Sequence, residues 1–148
     1  MLLTKYADYS IRVLMYLAAR PGEKVPITVI AEAYGISRNH LMKVSQNLAR
    51  LGYIIGYRGK GGGIALARPA RSINLGQVLE RVEVNLQPIG REDGPSVCDG
   101  DGHFHEALDA ARHAFVGALA SYTLADLVFG PMAGAAPRSN GTNGHPSE

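Results

Sequence analysis

Apolar side chains recur along residues 5–19 at Ile11, Leu14, Met15 and Ala18, the i, i+3, i+4, i+7 spacing of one helical face. Tyr6, Tyr9, Val13, Tyr16 and Leu17 fill much of the remaining circumference, so this helix is expected to be covered on more than one side. Arg20-Pro21-Gly22 ends it, and a second short helix is expected over 26–34, with Pro26 near its first turn. Gly35 breaks the pattern before a third helix. Ser37 is its expected N-cap, with a hydroxyl able to accept from a first-turn N–H, and Ile36 and Leu41 stand at the two positions of a hydrophobic staple. Leu41, Val44, Leu48 and Leu51 form an inward stripe, while Asn39, Lys43, Gln46 and Arg50 form a polar, basic stripe opposite. Gly52 follows as the C-terminal cap.

The period then changes. Residues 53–57 and 64–67 are short runs rich in aromatic or β-branched residues, and Arg58-Gly-Lys60-Gly-Gly-Gly63 lies between them, which predicts a hairpin with a glycine-rich tip. Residues 75–82 read as a fourth helix, 84–102 as an irregular loop broken by glycines and prolines, and 103–121 as a long helix with Leu108, Ala111, Phe115 and Tyr122 on one face. Residues 131–148 hold few apolar side chains and are expected to be disordered.

Composition narrows the class. A chain of 148 residues, 46% hydrophobic, can build one compact domain or a small domain with an accessory element. One cysteine excludes an intrachain disulfide, and the absence of a charged-then-apolar leader or an apolar run near ~18 residues predicts a cytoplasmic protein with no membrane partner. The net charge of +2 hides an uneven distribution. From Ala33 to Leu79 there is no Asp or Glu, yet Arg38, Lys43, Arg50, Arg58, Lys60, Arg68 and Arg71 all fall there. From Glu80 to Asp109 the balance reverses. A basic block beside an acidic one suggests that the first half meets a polyanion.

The order helix, glycine turn, helix, hairpin is that of a winged helix-turn-helix. Its second helix would enter the major groove with Ser37, Arg38, Asn39 and His40 foremost. Arg matches guanine O6 and N7, and Asn matches adenine N6 and N7. Lys43 and Arg50 are better placed for phosphates. A nucleotide-binding reading of the glycine loop fails on its neighbours: Gly61 follows Lys60 where a Walker loop needs Ser or Thr, and a strand follows where both nucleotide motifs need a helix. The loop therefore reads as a wing, with Arg58, Gly59, Lys60 and Gly61 approaching the duplex. The sequence shows no paired acid–base set and no nucleophile elbow, so an enzyme is not expected.

The segments TKYADYSIRVLMYLA, ISRNHLMKVSQNLARLGYI, RGKGGGIALARPARSINLGQVLERVE and SYTLADLV together resemble the Rrf-two family of winged-helix repressors, most closely its nitric-oxide-sensing branch. The resemblance implies a mainly α fold, divided into a DNA-binding domain over 1–83, an effector or cofactor loop over 84–102, a dimerisation helix region over 103–130 and the 131–148 tail. It implies a homodimeric repressor on a double-stranded DNA operator. It also implies an iron–sulfur cluster held by three loop cysteines and an aspartate on the first helix. Asp8 matches that aspartate and Arg12 the arginine beside it, but Ser96 and Gly102 stand where two cysteines would fall, leaving Cys98. One thiolate does not hold a conventional four-ligand cluster.

Three readings of the loop stay open: a metal site using Cys98 with His103, His105, Asp99 or Asp101; a single redox-active thiol; or a loop without chemistry. If a cluster is bound, Cys98 and Asp8 from different chains are its expected ligands. His113, inside the long helix, is expected to pack rather than ligate. Two functional alternatives remain beside the redox-responsive repressor: a cofactor-free repressor responding to a small molecule, and a metal or haem protein acting through Cys98 and the histidines.

Overall fold

The computed structural model describes residues 3–86 and 100–130. Its centre is α1, Lys5–Ala18. Thr4 caps this helix, accepting from the Ala7 N–H at 3.2 Å. Ala7, Val13, Leu14, Leu17 and Ala18 are buried, and Tyr6, Tyr9, Ile11, Met15 and Tyr16 pack half-buried around them. The near-continuous apolar circumference has a simple cause: α1 is covered by α3, α4, α6 and a wing strand.

Helix α2 (Ile27–Tyr34) ends at Gly35, whose φ of 62° is the left-handed geometry of a helix stop. The backbone turns at once into α3, Arg38–Arg50. Leu41, Val44 and Leu48 are buried as the inward stripe, and Leu51 sits half-buried just past the helix end. Ser37 occupies the N-cap position with a cap-like backbone, but its hydroxyl makes no capping hydrogen bond. The expected cap is therefore geometric only, and the staple residues Ile36 and Leu41 anchor this end by packing.

The wing is a two-stranded antiparallel sheet, β1 (Ile54–Tyr57) and β2 (Gly63–Leu66), paired from Ile54 with Leu66 to Tyr57 with Gly63. Each strand starts one residue away from the sequence expectation. Tyr53 turns inward, and its carbonyl holds the Ala67 N–H at 2.9 Å. Gly63 joins the sheet because Val25 crosses it, exchanging two backbone hydrogen bonds with Ile64. A methyl group at Gly63 would lie 2.6 Å from the Val25 carbonyl carbon, so only glycine allows that approach.

A 3-10 turn at Ala70–Ser72 leads to α4, Leu75–Val82. Asn74 caps α4 and also donates to the Ala120 carbonyl at 2.7 Å. Val84–Leu86 form a second 3-10 turn, and α5 runs over Gly100–Leu119. The expected loop 84–102 is thus shorter at both ends, and its residues 87–99, including Ser96, Cys98 and Asp99, lie outside the described residues. Helix α5 crosses α4 so closely that a methyl on Gly76 would sit 2.7 Å from the Val116 carbonyl oxygen. On its free side Phe104 and Leu108 are exposed, while Phe115 packs on the core. Tyr122 lies in the turn after α5 rather than on its face.

An unexpected helix, α6 (Leu124–Phe129), returns the chain to α1. Thr123 and Asp126 make a capping box: the Thr123 N–H and hydroxyl donate to Asp126 Oδ2 at 2.7 and 2.8 Å, and the Asp126 N–H donates back to Thr123 Oγ1 at 3.3 Å. The Thr123 N–H, then its hydroxyl, hold the Asp126 carboxyl below its ordinary value. A lowered folded pKa means the cap stabilises at pH above the unfolded value and loses that contribution as pH falls through the folded one. Thr123→Ala is expected to lose about 1 kcal/mol at neutral pH. Urea titration at pH 7 and pH 3 checks this, and the loss should shrink at the lower pH.

Candidate nucleic-acid interface

The turn at Gly35 aims the start of α3 outward. Ser37, Arg38, Asn39, His40, Lys43 and Arg50 are all exposed, on the face opposite Leu41, Val44 and Leu48. The wing tip brings Arg58, Gly59, Lys60 and Gly61 to the surface as well. Gly59 and Gly61 have φ values of 90° and 77°, a turn that side-chain-bearing residues rarely make. Among the described residues, no carboxylate lies within 4 Å of Arg38, Lys43, Arg50, Arg58 or Lys60. Their charge is not cancelled locally.

Two of these side chains are held in place. Arg50 donates to Asn47 Oδ1 at 2.6 Å, which draws its guanidinium back along the helix. The His40 ring lies 6.3 Å from that of Tyr9 on α1, so it contacts the core helix as well as solvent. A small recess between Lys5, Tyr6, Tyr9, His40 and Lys43 joins the two helices there. Arg38 and Asn39 remain fully presented. Chemically this surface offers two amide or guanidinium forks at a helix start, flanked by cations on the helix and the wing, which is the donor pattern that base edges and phosphates accept.

The second candidate site involves α1 and the start of α5. The Asp8 carboxylate is bound by Arg12 Nε at 2.8 Å, one helical turn on. His103 is exposed and His105 half-buried in the first turns of α5, with Phe104 edge-on to His105 at 6.0 Å. Among the described residues, no three His, Cys, Asp or Glu side chains gather as a metal would need. Cys98 lies outside them. The donor set does not fit a cluster held by thiolates within one chain, since the chain has a single cysteine.

His113 departs from expectation. Its side chain is 63% exposed and pairs with Asp109, at 3.3 Å from Oδ2 and 2.9 Å from the backbone oxygen. It faces away from the core because Arg112, one residue earlier, takes the inward position and bridges Asp109 and Glu80.

One long-range contact was invisible in the sequence. Glu83, 1% exposed, accepts from the Thr4 N–H at 2.7 Å and the Thr4 hydroxyl at 3.0 Å. It ties the residue that opens the 84–99 segment to the cap of the helix carrying Asp8. The two residues stand 79 positions apart, so no spacing rule could pair them.

The geometry has known counterparts. A profile of the Rrf2 family, described as iron-dependent transcriptional regulators, matches residues 3–130. The chain is 43% identical over 136 residues to the HTH-type transcriptional regulator NsrR of Bacillus subtilis, covering 86% of this chain and 90% of that protein. Its fold is similar to that of CymR, the global cysteine regulator of B. subtilis, with a TM-score of 0.70 at 22% identity over 87% of this chain and 97% of that one. It is also similar to T. potens IscR, with a TM-score of 0.69 at 25% identity over 87% of each chain. No described helix is long and apolar enough to cross a membrane. The mainly helical fold with its small wing, the exposed basic face of α3 and these relatives agree: the chain belongs to the Rrf2 family of transcriptional regulators, and it is a DNA-binding regulator rather than an enzyme.

Proposed function

We propose that the protein acts in the cytoplasm as a homodimeric, sequence-specific repressor on a double-stranded DNA operator. The observation that carries this reading is the exposed face of α3, uncancelled by any described carboxylate and set beside a glycine wing. Arg38 and Asn39 read base edges. Ser37 and His40 border them, Lys43 and Arg50 hold phosphates, and Arg58, Gly59, Lys60 and Gly61 bring the wing against the backbone. The free side of α5, with Phe104 62% exposed, supports a second copy as its partner. Residues 1–83 then form the DNA-binding unit and 103–130 the pairing unit.

Two half-sites should therefore lie about one helical turn, ~10 bp, or a multiple apart. Analytical ultracentrifugation of the protein with a single operator duplex is expected to give two chains per duplex. One chain per operator, with one half-site footprinted, overturns the dimer.

Similarity to NsrR supports a response to nitric oxide or iron–sulfur status. With one cysteine per chain, such a site closes only across the dimer, from Cys98 and Asp8 of different chains, with His103 and His105 as further candidate ligands. A cluster bound there would supply a redox-sensitive link between chains; Asp8, released from Arg12, and the Glu83–Thr4 bond would position α1 for it. The absorbance spectrum of anaerobically purified protein tests this, and colourless protein that still binds its operator excludes it. A second reading, a repressor answering a small molecule without a cofactor, is favoured by a separate observation: a large cleft at the root of the wing.

A further inference from the structure

Between the end of α1, the wing and α6 lies a cleft of about 860 Å³. Leu17 and Ala18 of α1, Leu66 of β2, Ala70 of the 3-10 turn and Phe129 of α6 give it apolar walls. Its volume falls in the range, roughly 300–1,000 Å³, of pockets that take small organic ligands. Neither the DNA-reading face nor the Asp8 region uses it.

Four cations line this cleft: Arg20, Lys24, Arg68 and Arg71. The one carboxylate among the lining residues, Asp126, is occupied by the Thr123 N–H and hydroxyl. None of the four cations has a carboxylate within 4 Å among the described residues. Three are instead held against aromatic rings. The Arg20 guanidinium lies 3.8 Å from the Tyr16 ring centre, the Lys24 ammonium 4.4 Å from Tyr57, and the Arg68 guanidinium 4.8 Å from Tyr53. An aromatic face fixes a cation's position while leaving its charge uncancelled. An apolar hollow with fixed, unneutralised cations is complementary to a small anion with an apolar body.

We propose that this cleft is the binding site for a small carboxylate with an aromatic or branched apolar body. The carboxylate meets Arg68 and Arg71, and the body lies against Leu17, Leu66 and Phe129. The proposal rests on the cofactor-free reading above, because it supplies the effector that reading requires. The bound acid touches wing, α1 and α6 together, and so sets the wing relative to the segment that follows α5. A ligand that favours one such arrangement shifts operator affinity by roughly 5–150-fold.

The test uses the full chain in two assays. Isothermal titration measures binding of 3-phenylpropionate, indole-3-acetate, benzoate and 4-methylpentanoate, with 3-phenylpropanamide as the neutral analogue. Fluorescence anisotropy measures operator affinity with and without each acid. At least one acid is expected to bind once per chain, at least tenfold more tightly than the amide. Arg71→Gln should weaken the acid and leave the amide unchanged, and Ala70→Phe, which fills the cleft, should block both. Four silent acids, equal binding of acid and amide, or binding that survives Ala70→Phe in a folded variant each overturn the site. If Arg68→Gln or Arg71→Gln lowers operator affinity without acid, the cations belong to DNA phosphates; if either changes the oligomeric state, the cleft belongs to a second copy. Both results overturn the proposal. Acid binding with no change in operator affinity upholds the site and removes the cofactor-free reading it rests on.

Discussion

Glu83→Ala is expected to destabilise the protein by on the order of 3 kcal/mol, because it removes one buried acceptor of two hydrogen bonds from a charged group. Both bonds go to Thr4, at 2.7 Å from its N–H and 3.0 Å from its hydroxyl. The hydroxyl cannot be freely replaced, since the same oxygen accepts the Ala7 N–H and so caps α1. Losing Glu83 therefore loosens the start of the helix against which α3, α4, α6 and a wing strand pack. Against a total stability of roughly 5–15 kcal/mol this is a large fraction. Glu83→Gln keeps one acceptor oxygen and should lose less. Urea unfolding of the two variants decides the matter: a Gln variant as stable as the parent, beside a destabilised Ala variant, would show that the carboxylate merely fills space. A cycle with Thr4→Val should return a coupling above about 0.5 kcal/mol.

Glu83 immediately precedes the 84–99 segment, and Thr4 lies one turn before Asp8. Glu83 is thereby fixed to the helix that contacts His40 through Tyr9. Glu83→Gln is accordingly the variant in which to look for altered operator affinity at near-normal stability.

Local patterns in the sequence reached the elements that local forces decide. The stripe Leu41, Val44, Leu48 predicts α3 because a helix buries one face, and Gly35 predicts the turn because its left-handed geometry disfavours other residues. Elements decided by tertiary contact were harder to see. Gly100 and Gly102 read as loop, since each glycine costs a helix about 1 kcal/mol relative to alanine, yet α5 begins at Gly100. Helix α6 is six residues long, too short for periodicity to register, although Thr123 and Asp126 carried the capping-box spacing that marks it.

The basic run shows the same division. Seven cations between Ala33 and Leu79 form one block in sequence. The fold divides them: Arg38, Lys43, Arg50, Arg58 and Lys60 are on α3 and the wing tip, whereas Arg68 and Arg71 line the cleft with Arg20 and Lys24. The packing of α1 on β2 and the backbone bridge between Val25 and Ile64 bring those four together. Charge clustering along a sequence indicated an anionic partner but could not indicate two separate cationic surfaces.

The division of labour on the DNA-facing surface gives the other large expected effect. Arg38→Ala and Asn39→Ala are each expected to weaken operator binding by roughly 1–3 kcal/mol and to relax discrimination at one base pair. Both side chains are exposed at the start of α3, with no described carboxylate within 4 Å of Arg38, so truncation removes contact to DNA without removing support from the fold. Lys60→Ala should behave differently. It sits on a glycine-flanked tip, and in the proposed reading it meets phosphates, which carry no sequence, so its loss should weaken all duplexes alike. One fewer phosphate neutralised also means one fewer counterion released, and the slope of log K against log salt should fall by roughly one. Anisotropy titrations on the operator and a scrambled duplex at four salt concentrations separate the two behaviours. Arg38→Ala should close the gap between the duplexes, and Lys60→Ala should preserve it while flattening the salt dependence. Identical responses from the helix and wing variants would mean that α3 is not the element that reads sequence.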